Sequence, residues 1–339
     1  MSETMEELQS RLKDEFDIEF GDYSYLETLP TRLPNLDRIM GGGIPLGRQL
    51  EIFGPSGSGK TTLALYVMSL AQERGWPTAY LDYEHRLDPN RDAIKRAKCQ
   101  PNFFYFDKVK DRDFITAEDG VNFLRAFLPT KDGTPRVAII DSLAAFKPRC
   151  SFERDIGDSE QPGLQARFMS QYMPMIGGIV KYNRSILIWI NQLRNKIGGY
   201  GNPEVTPGGM ATPYYQTLRL RISRTEIIKN EEDGGIRSRI ELIKSSTSRS
   251  HQSCEISIRD SGIDLRSALF EELKVREVIR LGGSYYNFAP QYSELAQSLG
   301  LEVDPKKGMA RIGQGEKSVM KLLSDSDVFD KLYETVLNT

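Results

Sequence analysis

The chain reads as an α/β protein built around a mostly parallel central sheet, and three observations carry that reading. Short apolar runs recur: Thr78-Ala79-Tyr80-Leu81-Asp82-Tyr83, Val137-Ala138-Ile139-Ile140-Asp141 and Ser185-Ile186-Leu187-Ile188-Trp189-Ile190. Runs of this kind suit strands buried on both faces, as in a parallel sheet, and helical stretches separate them. Each run also ends in polar residues, such as Asp141 and the pair Asn191-Gln192. Open α/β sheets place their sites at those carboxyl ends.

From the N-terminus, Met5, Leu8, Leu12 and Phe16 fall at three- and four-residue steps. That spacing predicts a helical arm with one apolar face, packed on the core or offered to a partner. Gln49-Leu50-Glu51-Ile52-Phe53 alternates polar and apolar residues and reads as a strand. It leads into Gly54-Pro55-Ser56-Gly57-Ser58-Gly59-Lys60-Thr61, which fits the phosphate-binding pattern G-x-x-x-x-G-K-[ST] in full. The glycines let the backbone N–H groups turn inward on an anion. Thr62-Leu63-Ala64-Leu65-Tyr66-Val67-Met68 reads as the following helix, whose N-terminus adds positive potential. Lys60 is placed to reach the β- and γ-phosphates of a nucleotide, and the Thr61 hydroxyl to bind Mg²⁺. Asp141, after its apolar strand, takes the position of the second Mg²⁺-organising residue, directly or through water.

Glu84 ends the strand beside the loop strand, where a carboxylate can activate a water for attack on the γ-phosphate. Position alone equally fits a surface carboxylate. Gln192 ends the next strand, where its amide could sense the γ-phosphate or simply cap the strand. Two stretches, 152–163 and 195–209, are rich in Gly, Pro and charge and lack periodicity. Long loops inside a compact domain are usually functional or disordered. The second holds Gly198-Gly199-Tyr200-Gly201-Asn202-Pro203, too flexible for a packed element. Arg219 and Arg221 share one face of an expected strand with Arg224 just beyond it; they read as a solvated face or as a contact with DNA or another subunit. Beyond Gly262, helices are expected at 269–279, 292–299, 319–323 and 328–337, giving a small C-terminal domain in which Tyr285-Tyr286 pack. The resulting division is an arm over 1–30, a core over 31–262 and a C-terminal domain over 263–339.

The composition bounds the class. With 45 Lys and Arg against 47 Asp and Glu the net charge is −2, so any nucleic-acid site is a local surface. No apolar run approaches the roughly 18 residues of a membrane span, and the N-terminus lacks the apolar core of a signal peptide. Cys99, Cys150 and Cys254 form no metal spacing and suit a reducing compartment, hence a cytoplasmic protein. His85 and His251 cannot build a His-rich metal site.

Taken together the motifs resemble the bacterial RecA recombinase family. The matching stretches begin with 54–63, Glu84-His85-Arg86-Leu87-Asp88-Pro89, Ile140-Asp141-Ser142-Leu143-Ala144-Ala145 and Asp155-Ile156-Gly157-Asp158-Ser159. Ala166-Arg167-Phe168-Met169-Ser170-Gln171, Ile190-Asn191-Gln192-Leu193-Arg194-Asn195-Lys196-Ile197-Gly198, Gly201-Asn202-Pro203-Glu204 with Gly208-Gly209, and Ile312-Gly313-Gln314-Gly315 follow. They occur in the family's order with similar spacing over 31–339.

The resemblance implies a RecA-type P-loop ATPase core with an N-terminal helical arm and a small C-terminal α+β domain, a filament on single-stranded DNA with ATP at the subunit interface, and pairing with homologous duplex in recombination and repair. It makes Glu84 the catalytic carboxylate, Gln192 the nucleotide sensor and Lys244 a cation acting on the neighbouring subunit's ATP. Lys60 completes the catalytic set. The nucleotide set is Gly54, Pro55, Ser56, Gly57, Ser58, Gly59, Lys60, Thr61, Thr62, Asp88, Arg91 and Asp141. Segments 152–163 and 195–209 become DNA-binding loops, with Arg167, Arg194, Lys196, Ile197, Gly198, Tyr200, Gly208 and Gly209 at or beside the strand. The chain departs from the family at Arg91, where a Tyr stacks near adenine, and at Ser246, where a second lysine is usual. It also departs at Gln161-Pro162, in a second loop shorter by one residue, and at Pro174 inside an expected helix. The acidic C-terminal tail is expected to be missing, the sequence closing on Asn338-Thr339. These features fit a divergent homologue of the sort a phage would carry. The rival readings are a hexameric helicase on the same core and a regulatory DNA-bound filament with incidental hydrolysis.

Overall fold

The computed structural model describes residues 3–16, 26–88, 92–153, 163–195, 204–205, 207, 211–230 and 232–338. Among these, nine strands form one sheet: β1 Arg48–Gly54, β2 Thr78–Asp82, β3 Phe104–Phe106, β4 Val137–Asp141, β5 Ile186–Gln192, β6 Leu218–Ile228, β7 Gly235–Ser245, β8 Ser253–Arg259 and β9 Gly262–Ile263. Their order across the sheet is β9-β8-β7-β6-β1-β5-β4-β2-β3. From β6 to β3 every pairing is parallel, and from β6 to β9 every pairing is antiparallel. The mostly parallel α/β core read from the apolar runs is therefore present.

The period of two sorts the strand residues between two cores. Ile186, Ile188 and Ile190 join the apolar cluster built with the helix Lys60–Glu73, whereas Leu187 and Trp189 join the cluster built with the helices Ala117–Phe127 and Leu164–Tyr182. Val137 and Ile139 divide from Ala138 and Ile140 in the same way. Each fully buried Ile or Leu contributes roughly 1.5–3 kcal/mol of transfer free energy, so a sheet covered on both faces is rigid. That rigidity holds the carboxyl ends of β1, β2, β4 and β5 in one row.

Two polar residues of β1 are buried. Gln49 and Glu51 are 3% and 0% exposed. Trp189 Nε1 donates to Gln49 Oε1 at 2.9 Å, and Asn191 Nδ2 donates to Glu51 Oε1 at 2.8 Å. Arg219 Nε donates to Glu51 Oε2 at 2.5 Å, and its guanidinium lies 4.6 Å from the centre of the Phe53 ring. The reading of Arg219 as part of a solvated face is thus corrected. A buried carboxylate on β1 needs a cation, and parallel pairing with β6 supplies Arg219. Arg221 is partly exposed with its Nη1 3.8 Å from Glu241, and Arg224 lies within β6 rather than beyond it.

Two further expectations are modified. The helix Leu164–Tyr182 is continuous through Pro174, which does not interrupt it. Proline removes one N–H from the ladder, but Phe168, Met169, Met173, Ile176 and Val180 anchor both sides of it in the core. The helix expected over 269–279 spans Leu265–Val275, and Ile279 instead opens a strand. That strand, Ile279–Gly282, pairs with Tyr285–Phe288, which pairs with Ala310–Gln314. These strands and the helices Leu265–Val275, Ser293–Ser298, Gly315–Leu322 and Ser326–Asn338 enclose a third apolar cluster around Phe270, Phe288 and Leu332. Tyr286 is buried in it, while Tyr285 is partly exposed under the Arg311 guanidinium.

The arm helix spans Met5–Phe16 and begins at a reciprocal cap. Glu7 N–H donates to Thr4 Oγ1 at 3.2 Å, and Thr4 N–H donates to Glu7 Oε2 at 2.8 Å. None of its residues is buried, and Met5 and Phe16 are 70% and 59% exposed. Among the described residues no helix is long and apolar enough to cross a membrane.

Candidate functional site

The site grows from the loop between β1 and the helix Lys60–Glu73. Gly54 passes so close to β6 that a Cβ there would stand 2.0 Å from the Ile222 carbonyl oxygen. Gly59, with φ +96°, caps the helix in the left-handed region, and a Cβ would meet Ile258 Cδ1 at 2.4 Å. The turn is further tied by Ser58 Oγ, which donates to Pro55 O at 2.8 Å. Lys60 lies over the loop and donates to Gly54 O at 3.0 Å and to Pro55 O at 2.7 Å. Burial pulls its ammonium below the usual lysine range, against the opposing pull of Asp141 and Glu84.

A cavity of about 250 Å³ opens above this loop. Ser56, Gly57, Gly59, Lys60, Thr61 and Thr62 line one side. Tyr80, Glu84, Arg86, Asp141, Ile190 and Gln192 line the other, with Leu87 and Ala93. The residues singled out from sequence at the ends of β1, β2, β4 and β5 therefore meet in one place.

Glu84 is held on both carboxylate oxygens. Its Oε1 accepts from Ser142 Oγ and from Gln192 Nε2, the latter at 2.7 Å. Its Oε2 lies 3.1 Å from Arg86 Nη1. The turn that carries Glu84 is organised by Asp82, which is 1% exposed. Asp82 accepts the N–H of Glu84 at 3.1 Å, of Arg86 at 2.9 Å and of Leu87 at 2.8 Å, and the Tyr105 hydroxyl at 2.9 Å.

Asp141 lines the cavity. Its Oδ2 accepts the Tyr80 hydroxyl at 2.5 Å and the Thr61 hydroxyl at 3.3 Å. Burial pushes its carboxyl up to about 6, and Glu84 and Asp82 add to the rise. Burial and the Asp141 charge hold the Tyr80 phenol well above its ordinary value, so it stays a donor. Among the described residues no three His, Cys, Asp or Glu side chains group as a metal cage. The hydroxyl of Thr61 and the carboxylate of Asp141 are hard oxygen donors side by side at a helix N-terminus. They suit a Mg²⁺ ion that takes its other ligands from phosphates and water.

Lys244 does not line this cavity. Its Nζ donates to Pro213 O at 2.8 Å and to Tyr214 O at 2.7 Å, which closes the carboxyl end of the helix Ala211–Tyr215. Asp88 is exposed, and Arg91 lies outside the described residues. Arg167 is exposed in the first turn of the helix Leu164–Tyr182, directly after the first loop. Most of 152–163 and Lys196, Ile197, Gly198, Tyr200, Gly208 and Gly209 lie outside the described residues. At the stem of the second loop, Arg194–Asn195 pairs antiparallel with Glu204–Val205. Asn191 Nδ2 also donates to Pro207 O at 3.1 Å, tying the returning arm of that loop to β5. Sequence reasoning missed Tyr80, Asp82, Ser142 and Asn191. An Asp two residues before Glu84 at a strand end is the signature of a side chain accepting turn N–H groups, and it was readable.

The chain matches the family model described as "RecA N-terminal domain" over residues 3–264. Protein RecA of Lactobacillus acidophilus is 33% identical over 322 residues, spanning 92% of this chain and 79% of that protein. Protein RecA of Latilactobacillus sakei is 34% identical over 302 residues, spanning 88% and 77%. For Protein RecA of Caldanaerobacter subterraneus the identity is 36% over 274 residues, spanning 79% and 77%.

Proposed function

The chain belongs to the RecA family, and from that premise we propose that it is an ATP-dependent DNA recombinase. It forms a filament on single-stranded DNA, pairs that strand with homologous duplex and hydrolyses ATP at the interface between subunits. The observation that carries this reading is the contact between Gln192 and Glu84. One amide joins the hydrolytic carboxylate to the strand that runs straight into the second loop.

The residues divide the work. The N–H groups of 54–61 and the N-terminus of the helix Lys60–Glu73 receive the phosphates. Lys60 exchanges its two carbonyl partners for the β- and γ-phosphate oxygens. Thr61 and Asp141, the latter through water, would hold Mg²⁺, which when bound offsets phosphate charge. Glu84 takes the proton of the attacking water. Ser142 and Gln192 fix the carboxylate so that one oxygen is aimed before ATP arrives. When the γ-phosphate draws the Gln192 amide away, β5 transmits the shift to 195–209, and DNA affinity follows nucleotide state.

The finer assignments rest on the family's pattern and on position. Arg167, Arg194, Lys196, Gly198, Gly208 and Gly209 contact the DNA backbone, Ile197 wedges between bases, and Tyr200 lies at the loop tip. Asp88 and Arg91 complete the nucleotide contacts. Lys244 leaves the carbonyls of Pro213 and Tyr214 for the ATP of the adjacent subunit, so nucleotide at one interface frees the helix that follows the second loop. The exposed stripe of the arm helix docks on that neighbour, and residues 31–262 and 263–339 act as ATPase core and C-terminal domain.

A strand-exchange assay with circular single-stranded and homologous linear duplex DNA tests the reading. Joint molecules that form with ATP, and filaments under the electron microscope with a non-hydrolysable analogue, are expected. Rings with unwinding and no joint molecules would identify a helicase. Filaments that never exchange strands would identify a passive DNA-bound assembly.

A further inference from the structure

We propose that Tyr80 is a positioning residue for the metal side of the nucleotide site, acting through Asp141. The inference rests on the reading of Asp141 as a Mg²⁺-organising carboxylate. Tyr80 sits in the middle of β2 among apolar residues and is 1% exposed. A phenylalanine would fill that space. A buried hydroxyl is unfavourable unless it finds a partner, and this one finds a carboxylate at 2.5 Å.

Register explains the contact. Tyr80 stands opposite Ile139 on β4, and Asp82 stands opposite Asp141. Asp141 is therefore diagonal to Tyr80, at a spacing that a long aromatic side chain spans. The ring cannot swing away. Tyr105, its register partner on β3, stacks on it at 6.5 Å and 22°, and Phe103 closes in at 6.4 Å. The Tyr105 hydroxyl is occupied separately, on Asp82.

The chemistry follows from which oxygen is used. Tyr80 and Thr61 both donate to Oδ2 of Asp141, which fixes the carboxylate plane and leaves Oδ1 for a metal-bound water. Without the phenol the carboxylate keeps only the longer Thr61 contact, while Asp82 and Glu84 crowd it with like charge. It would then meet the ion in many orientations, and more Mg²⁺ would be needed to capture the same nucleotide.

The test is the Mg²⁺ dependence of binding a fluorescent ADP analogue, read by anisotropy, for wild type, Tyr80→Phe and Tyr105→Phe. Tyr80→Phe keeps the ring and should unfold near the wild-type temperature. Its half-saturating Mg²⁺ should rise about tenfold or more, the effect of one hydrogen bond to a charged group. At saturating Mg²⁺ its nucleotide affinity should return to that of wild type, which a general loss of packing would not allow. Tyr105→Phe, which loses a hydroxyl from Asp82 instead, should keep the wild-type Mg²⁺ half-point. A Tyr80→Phe protein with an unchanged Mg²⁺ half-point, or with affinity lowered equally at every Mg²⁺ concentration, overturns the proposal. Wild-type binding that ignores Mg²⁺ overturns the metal reading of Asp141 itself.

Discussion

Glu84 carries a partner on each carboxylate oxygen, and its role is best tested one atom at a time. Glu84→Gln keeps the shape and removes the base. ATP and DNA binding should persist while steady-state hydrolysis falls by about 10²–10⁴-fold, the range for losing a general base. Wild-type turnover in that variant would remove Glu84 from catalysis. A second residue-scale prediction concerns Asp37, which is 4% exposed and accepts the N–H of Thr31 at 2.9 and 3.0 Å and its hydroxyl at 2.7 Å. Burial pushes its carboxyl from 3.8 up to about 6, despite those bonds. The folded chain therefore holds a proton on Asp37 between about pH 4 and pH 6 that the unfolded chain has released. The stability from this group is full below about pH 4 and is lost as pH rises through 6. Relative to Asp37→Asn, wild type should lose about 2 kcal/mol of unfolding free energy from pH 4 to pH 7. A difference that stays flat across that range, measured by urea unfolding, would contradict the assignment.

At the scale of elements, the loop of 54–61 is held by what its glycines touch. Gly59→Ala drives a methyl into Ile258 Cδ1 and places alanine at φ +96°. Overpacking of this sort costs about 1–3 kcal/mol, with left-handed backbone adding about 1–2. Ile258→Val removes the clashing atom at a cost of about 0.5–1.5 kcal/mol. The double variant should therefore be less destabilised than the sum of the two singles. Strict additivity in equilibrium unfolding would show that the contact is not the cause. The elements also differ in how plainly the sequence announces them. β4 and β5 were legible because strands covered on both faces leave no room for polar residues until their ends, and the loop because its motif admits few alternatives. The strands Ile279–Gly282 and Tyr285–Phe288 were not, because Leu281 is exposed and Tyr285 partly so, with too few residues to show a period. The pairing of Glu51 with Arg219 joins residues 168 apart, and that of Tyr80 with Asp141 residues 61 apart. Only strand order brings either pair together, and no local pattern announces it.

The proposed filament requires the molecule to act in copies and across distance. The arm helix Met5–Phe16 leaves Met5 and Phe16 largely exposed, and Leu8 and Leu12 only partly covered. Removing residues 1–22 should shorten filaments in light scattering with DNA and ATP while nucleotide affinity stays near wild type. Unchanged filament length would refute a docking role for the arm. In the proposed mechanism the ATP site and the second loop form one device joined at Gln192. The most direct measurement is a titration of labelled single-stranded oligonucleotide with and without a non-hydrolysable ATP analogue, for wild type and Gln192→Ala. Arg194→Ala serves as the control, weakening DNA binding in both nucleotide states and flattening its salt dependence. Wild type should gain DNA affinity when the analogue is added. Gln192→Ala should still bind the analogue but lose about 10- to 150-fold of that gain, the worth of one hydrogen bond to a charged phosphate. A Gln192→Ala protein that responds to nucleotide as wild type does would reduce Gln192 to a strand cap and break the proposed link between hydrolysis and DNA.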